Sequence, residues 1–218
     1  MNRLLDLILS LIYPPKCPFC GRVLERSEEV MCFACQRTLP WIEDGTPAKT
    51  VEHCDACLSP LWYRDGVRQG MHRYKFQHGR AHARLFGTLM AQCLQDRWRE
   101  PVDLITWAPL SRKRLRERGY DQAELLARRV GEVTGLPVTA ALVKTRNTKA
   151  QSSLDADDSR KANVQGVYAC SPGVDLAGKR VILVDDVATS GSTLAECAAC
   201  LRKAGAVSVV ALTLARAR

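Results

Sequence analysis

The segment that most constrains this chain runs from Val181 to Thr193 and reads VILVDDVATSGST. Its four leading apolar residues predict a strand buried on both faces, and two aspartates stand where that strand is expected to end. A loop of small and hydroxyl residues then leads into an apolar-periodic stretch that predicts a helix. This order of strand, acidic pair, loop and helix is typical of α/β proteins that bind a phosphorylated sugar at the carboxyl end of a sheet.

Three α/β chemistries compete for the pair Asp185-Asp186. A nucleotide hydrolase needs an upstream phosphate loop with Gly-Lys-Ser/Thr between a strand and a helix. The nearest match, residues 173–179, is followed by Arg180 instead of Ser or Thr, and it precedes a strand instead of joining a strand to a helix. Both features argue against a nucleotide hydrolase. A phosphoacceptor receiver domain carries its acidic pair on its first strand, whereas this pair lies near the end of the chain. The third class, a phosphoribosyl pyrophosphate site, explains each residue.

In such a site, Asp185 and Asp186 would accept hydrogen bonds from the ribose hydroxyls, directly or around Mg²⁺. The following loop would wrap the 5′-phosphate with backbone N–H groups, hydroxyls and a helix N-terminus, and Gly191 would let the backbone approach the anion. An ordinary strand and helix cap is disfavoured, because adjacent buried carboxylates are costly without a partner. The predicted ligand-binding residues are Val184, Asp185, Asp186, Val187, Ala188, Thr189, Ser190, Gly191, Ser192 and Thr193.

The cysteines indicate a metal site rather than disulfides. The chain has ten, and six of them form three C-x-x-C pairs within residues 17–57. We expect the first two pairs to supply four thiolates to one closed, structural zinc site that this region needs in order to fold. These predicted metal ligands are Cys17, Cys20, Cys32 and Cys35.

A third pair, Cys54 and Cys57, has no fourth pair after it in this part of the chain. It either binds a second ion with ligands other than cysteine, or is a remnant, or replaces one of the other pairs. Cys197 and Cys200 lie within a predicted helix and are expected to be small core residues.

The charge of the chain favours anionic partners. Its formal net charge is +9, and five of the eight residues 111–118 are basic. Arg118 in this cluster is a candidate catalytic residue that would neutralise departing pyrophosphate, together with a long polar loop carrying Arg146, Lys149 and Arg160. For three nearby aromatic residues, core packing is favoured over stacking on bases; they are Tyr74, Trp107 and Tyr120.

Periodicity predicts a mostly parallel sheet with helices on both sides. Helices are expected over 66–77, 81–97 and 192–204 and from residue 122, and strands over 103–109, 138–143, 166–170, 181–184 and 207–214. An apolar run over residues 4–13 is too short to cross a bilayer and lacks a signal-peptide cleavage site, which predicts a packed amphipathic helix and a cytoplasmic protein. We place an N-terminal helix and zinc-finger module at 1–60 and an α/β domain at 61–218.

The thirteen residues from Val181 resemble the signature of type I phosphoribosyltransferases, and the chain from Cys17 onward resembles the ComF/GntX family. The resemblance rests on the cysteine-rich start, the acidic pair and four further segments: Tyr74-Lys75-Phe76, Ala108-Pro109-Leu110, Arg118-Gly119-Tyr120-Asp121-Gln122 and the Arg146–Asn163 loop. It implies an α/β type I phosphoribosyltransferase fold with an N-terminal zinc finger. It also implies a role in DNA uptake during natural competence, where members are thought to help bring single-stranded DNA into the cytosol.

The sequence departs from this family in two places. Many members carry Asn at position 121, which leaves the role of Asp121 open, and some carry a fourth cysteine pair. Two functions therefore stay open. One is a phosphoribosyltransferase that uses phosphoribosyl pyrophosphate with Mg²⁺ and an unidentified acceptor. The other is a binding module that grips single-stranded DNA, contacts DNA-uptake proteins and uses the sugar-phosphate site as a ligand sensor.

Overall fold

The computed structural model describes residues 14–24, 30–77, 79–145 and 166–218. The predicted N-terminal helix and the Arg146–Asn163 loop lie outside these residues. The helices are α1 Phe33–Thr38, α2 Asp65–Phe76, α3 His82–Arg97, α4 Arg112–Arg118, α5 Gln122–Thr134 and α6 Ser192–Lys203. The strands are β1 Ala56–Leu58, β2 Leu61–Trp62, β3 Leu104–Trp107, β4 Leu142–Lys144, β5 Tyr168–Cys170, β6 Arg180–Ala188 and β7 Ser208–Arg216.

The described chain forms the predicted parallel sheet. Its strand order is β1-β7-β6-β3, β2 also pairs with β7, and every one of these pairings is parallel. Ile182 and Val184 pack in one apolar cluster with residues of α3 and α5, whereas Val181 and Leu183 pack in a second cluster with α6. Because successive side chains of β6 enter opposite layers, all four must be apolar, as the sequence predicted.

Two strand predictions differ from the structure. Residues 138–143 do not form one strand: Val138 makes a single bridge to Ile105, and the chain then turns where the Ala141 N–H donates to the Thr139 carbonyl over 2.9 Å. Only after that turn does β4 pair, antiparallel, with β5. The second difference is that β6 continues past the acidic pair to Ala188, because β7 is long enough to pair with it along that length.

The cysteine-rich start shares its core with the α/β domain. Phe19 is fully buried, and its ring centre lies 5.2 Å from that of Phe86 on α3. From α2, the Arg73 guanidinium donates to the Phe19 carbonyl over 2.7 Å. The sheet itself also begins before residue 60, since β1 pairs with β7. Residues on both sides of position 60 therefore build one apolar interior.

Candidate functional site

The acidic pair lies where one edge of β6 becomes open. β3 pairs with β6 only as far as Val184, and the Ala108 N–H then donates to the Val184 carbonyl over 2.9 Å. Asp185 and Asp186 follow directly; on the other side, Asp185 still pairs with Thr213 of β7, and Val187 pairs with Ala215. The carboxylates thus occur within a strand rather than after its end, beside the gap left by β3.

Lys75 at the C-terminal end of α2 neutralises part of this pair. Its Nζ lies 2.8 Å from Oδ2 of Asp186, and the two side chains are only 22% and 14% exposed. Asp185 instead accepts the Asp186 backbone N–H at 2.7 Å through Oδ1. Lys75 was not predicted as a site residue, because no local pattern shows that the end of α2 meets β6.

The electrostatics of the pair favour a further cation. Burial, and then the charge of Asp186, raises the pKa of Asp185 to about 7, while Lys75 acts in the opposite direction. One lysine therefore does not fully compensate two adjacent carboxylates. Carboxylate oxygens are the ligands that Mg²⁺ prefers, so the donor set fits this ion.

The loop after β6 has the geometry of an anion cradle. Gly191 adopts a left-handed backbone, φ 82°, directly before α6. Ser190 and Ser192 face one another with their hydroxyl oxygens 2.8 Å apart, so both hydroxyls lie at the N-terminus of this twelve-residue helix. A Cβ on Gly191 would lie 3.1 Å from the Val51 side chain, which closes the loop from the segment before β1. Hydroxyls, amide groups and the helix dipole together favour a phosphate here.

Arg118, the last residue of α4, lies near enough to the acidic pair to interact electrostatically with Asp186. It donates to Oε1 of Gln122 over 2.8 Å, and its guanidinium carbon is 4.9 Å from the ring centre of Phe76. Burial lowers the pKa of Arg118, and the charge of Asp186 acts in the opposite direction, as expected for a cation near this carboxylate. The other predicted basic residues, Arg146, Lys149 and Arg160, lie outside the described part of the chain.

A second lysine near the pair was not found from sequence. Lys144 on β4 donates to the Tyr168 hydroxyl over 3.0 Å. Burial and the neighbouring Arg114 lower its pKa to about 8, while Asp185 acts in the opposite direction. A short two-stranded ribbon carries little periodicity, so no local pattern predicts that Lys144 comes near this site.

Asp121 accepts backbone hydrogen bonds with both of its carboxylate oxygens, which accounts for an aspartate at this position. Its Oδ1 accepts the backbone N–H groups of Ala123 and Glu124, which caps α5, while its Oδ2 accepts the Leu110 N–H at 2.7 Å. It thereby fixes the loop after β3 to the start of α5. The three aromatic residues considered for stacking are buried core residues, as favoured from sequence: Tyr74, Trp107 and Tyr120.

The first two cysteine pairs form one cluster. The Sγ atoms of Cys17, Cys20, Cys32 and Cys35 all lie within 4.8 Å of one another. Burial raises the pKa of Cys17, but backbone N–H groups near its sulfur outweigh this and lower it to about 7. Four thiolates around one point fit a tetrahedral zinc ion and leave no position for substrate.

The third cysteine pair lies elsewhere. Cys57 is buried in β1 opposite Ala211, and Cys54 packs at the edge of the same apolar cluster. Within residues 14–24, 30–77, 79–145 and 166–218, no group of three or more potential ligands includes this pair. Cys197 is a buried core residue of α6, as predicted.

Comparison with known proteins identifies the family. Residues 76–218 match the family described as "Phosphoribosyl transferase domain". The chain belongs to this family. Residues 8–65 match a second family, described as "Double zinc ribbon domain", which agrees with the four-cysteine cluster.

Proteins that align with almost the whole chain confirm its predicted resemblance to the ComF family. "Competence protein F" of Haemophilus influenzae is 29% identical, over 93% of this chain and 97% of its own length. "Competence protein ComFC" of Bacillus subtilis is 27% identical, over 92% and 77%. "DNA utilization protein YhgH" of Escherichia coli is 29% identical, over 92% and 89%. In the part of the chain that the structure describes, no helix has the length and apolar character needed to cross a membrane.

Proposed function

We propose that this protein binds phosphoribosyl pyrophosphate with Mg²⁺ at residues 184–193 and acts in the cytoplasm during DNA uptake. The observation that carries the proposal is the placement of Asp185 and Asp186 at the open edge of β6, next to the hydroxyl-lined loop of Ser190 and Ser192. The names of the competence and DNA-utilization relatives support the proposed role in uptake.

Each part of the site has a task in this proposal. The acidic pair accepts hydrogen bonds that the ribose hydroxyls donate, and the N–H groups and hydroxyls of the loop before α6 donate to the 5′-phosphate. Mg²⁺ would be held by Asp185 and Asp186 and would neutralise charge on the ligand. Lys75 holds Asp186 in position, and Arg118 with the rest of α4 faces the charge that develops on departing pyrophosphate.

A titration with two ligands tests the loop independently of the acidic pair. Ribose 5-phosphate carries the phosphate and the hydroxyls but no pyrophosphate, so it should bind wild-type protein more weakly than phosphoribosyl pyrophosphate with Mg²⁺. Gly191→Val strains the left-handed backbone and presses against Val51, so both ligands should lose binding. Gly173 also has a positive φ, but it has open space around it, so Gly173→Val is the control and should still bind both ligands. Equal binding to wild type and Gly191→Val would contradict the loop assignment.

A second function is a non-catalytic module that binds single-stranded DNA and senses the sugar phosphate. It is favoured by the basic helix α4, which places Arg112, Lys113, Arg114, Arg116 and Arg118 within seven residues. Two measurements separate it from the enzyme. Pyrophosphate release from the ligand in the presence of nucleobases indicates transfer, whereas a steep fall of oligonucleotide affinity with salt and no pyrophosphate release indicates the module.

A further inference from the structure

Phe76 is an aromatic residue that the fold leaves open. It is the last residue of α2 and is 60% exposed, although Tyr74, two residues earlier, is fully buried. The Arg118 guanidinium carbon lies over its ring at 4.9 Å from the centre, and the His72 ring lies 5.0 Å away at a tilt of 44°. These two neighbours support the ring but leave most of its surface uncovered.

The ring is also fixed next to the sugar-phosphate site. Lys75, the preceding residue, holds Asp186 at 2.8 Å, which anchors this end of α2 to β6. Arg118 is anchored on its other side by Gln122 at 2.8 Å. Because these two contacts restrict the motion of the exposed ring before binding, a flat partner that stacks on it loses little side-chain conformational entropy.

The chemistry of the surroundings selects the partner. A bare aromatic ring attracts any flat apolar group, but the cation over Phe76 and the basic residues of α4 favour one attached to phosphate. We infer that Phe76 and Arg118 form a stacking platform for an unpaired nucleobase beside the sugar-phosphate site. The inference rests on the proposed function in that it supplies a base-recognition element next to the sugar-phosphate site.

Oligonucleotides with and without bases test the platform directly. Binding of a fluorescent oligothymidylate and of an abasic oligomer of equal length is measured by anisotropy at fixed salt, without phosphoribosyl pyrophosphate. Phe76→Ala should weaken oligothymidylate binding about tenfold and leave the abasic oligomer unaffected, because stacking requires a base. Phe76→Tyr keeps a ring and should bind like wild type.

Phe33→Ala is a matched control. Phe33 is 70% exposed and has Arg37 over its ring at 5.6 Å, but it lies on α1, in the cysteine-rich start of the chain. The Phe33→Ala variant should bind oligothymidylate like wild type. The inference would be overturned if Phe33→Ala lost as much affinity for oligothymidylate as Phe76→Ala, or if Phe76→Ala lost affinity equally for both oligomers.

The nucleobase that stacks on Phe76 can belong to single-stranded DNA or be a free base that accepts the phosphoribosyl group. Pyrophosphate release with phosphoribosyl pyrophosphate and free nucleobases should fall in Phe76→Ala if the platform holds the acceptor, while titration of phosphoribosyl pyrophosphate itself stays unchanged. Phe76-dependent oligonucleotide binding without any phosphoribosyl pyrophosphate binding would refute the proposed function and keep the platform. If phosphoribosyl pyrophosphate binds normally, and Phe76→Ala equals wild type both in oligothymidylate binding and in pyrophosphate release with free nucleobases, the platform is refuted and the proposed function is kept.

Discussion

Replacing Phe19 by Ala should destabilise the whole chain, although Phe19 belongs to the cysteine-rich start. The ring is fully buried and lies 5.2 Å from Phe86, which in turn packs against Tyr74 at 5.4 Å. Gly70 already approaches Phe19 closely, since a Cβ there would lie 3.1 Å from the Phe19 ring. Removing the ring therefore opens a cavity lined by α2 and α3, and similar truncations cost about 3–5 kcal/mol.

Urea unfolding followed by tryptophan fluorescence measures this loss, with zinc content determined on the same samples. The cysteines are unchanged, so the variant should keep its zinc while its free energy of unfolding falls. Phe33→Ala removes the same side chain from an exposed position of the same region and should change stability by less than about 0.5 kcal/mol. A loss below about 1 kcal/mol in Phe19→Ala would show that the two parts of the chain do not share one core.

Three further results are expected. Chelation should remove about one zinc per chain and lower the thermal midpoint, because the four-thiolate cluster holds the segment that carries Phe19; an unchanged midpoint after metal loss would contradict this. Burial raises the pKa of Asp185 to about 7, well above its unfolded value, so metal-free wild type should lose stability relative to Asp185→Asn as the pH rises from 4 to 7; parallel pH profiles in urea unfolding would refute this. Gly87→Ala should cost about 1–3 kcal/mol, since the new Cβ would lie 2.6 Å from the Arg129 Cβ where α3 meets α5; a calorimetric midpoint equal to that of wild type would argue against this packing.

Local pattern predicted much of the fold and the cysteine cluster. Four apolar residues in a row correctly indicated a strand buried on both faces, because each layer of helices covers alternate side chains of β6. Cysteine spacing correctly brought together Cys17, Cys20, Cys32 and Cys35, because two C-x-x-C turns are a local geometry.

Contacts between distant segments could not be read from sequence. Lys75 forms an ion pair with Asp186 although more than a hundred residues separate them in the chain, and Val51, from the segment before β1, lies next to Gly191. Neither follows from periodicity, which fixes the face of an element but not its neighbour. The exposure of Phe76 was not predicted either, because Tyr74, two residues earlier on the same helix, is fully buried and periodicity alone does not show which of the two aromatic rings meets the core.

The central claim is that Asp185 and Asp186 hold a sugar-phosphate ligand. Calorimetric titration of phosphoribosyl pyrophosphate with Mg²⁺ into wild type and into the double variant Asp185→Asn, Asp186→Asn tests it most directly. The exposed Asp44→Asn is a control for the loss of a carboxylate. We expect saturable binding to wild type and to the control, and a loss of affinity of at least about a hundredfold in the double variant, because charge-assisted hydrogen bonds are removed at two positions. Equal affinity in all three proteins would contradict it.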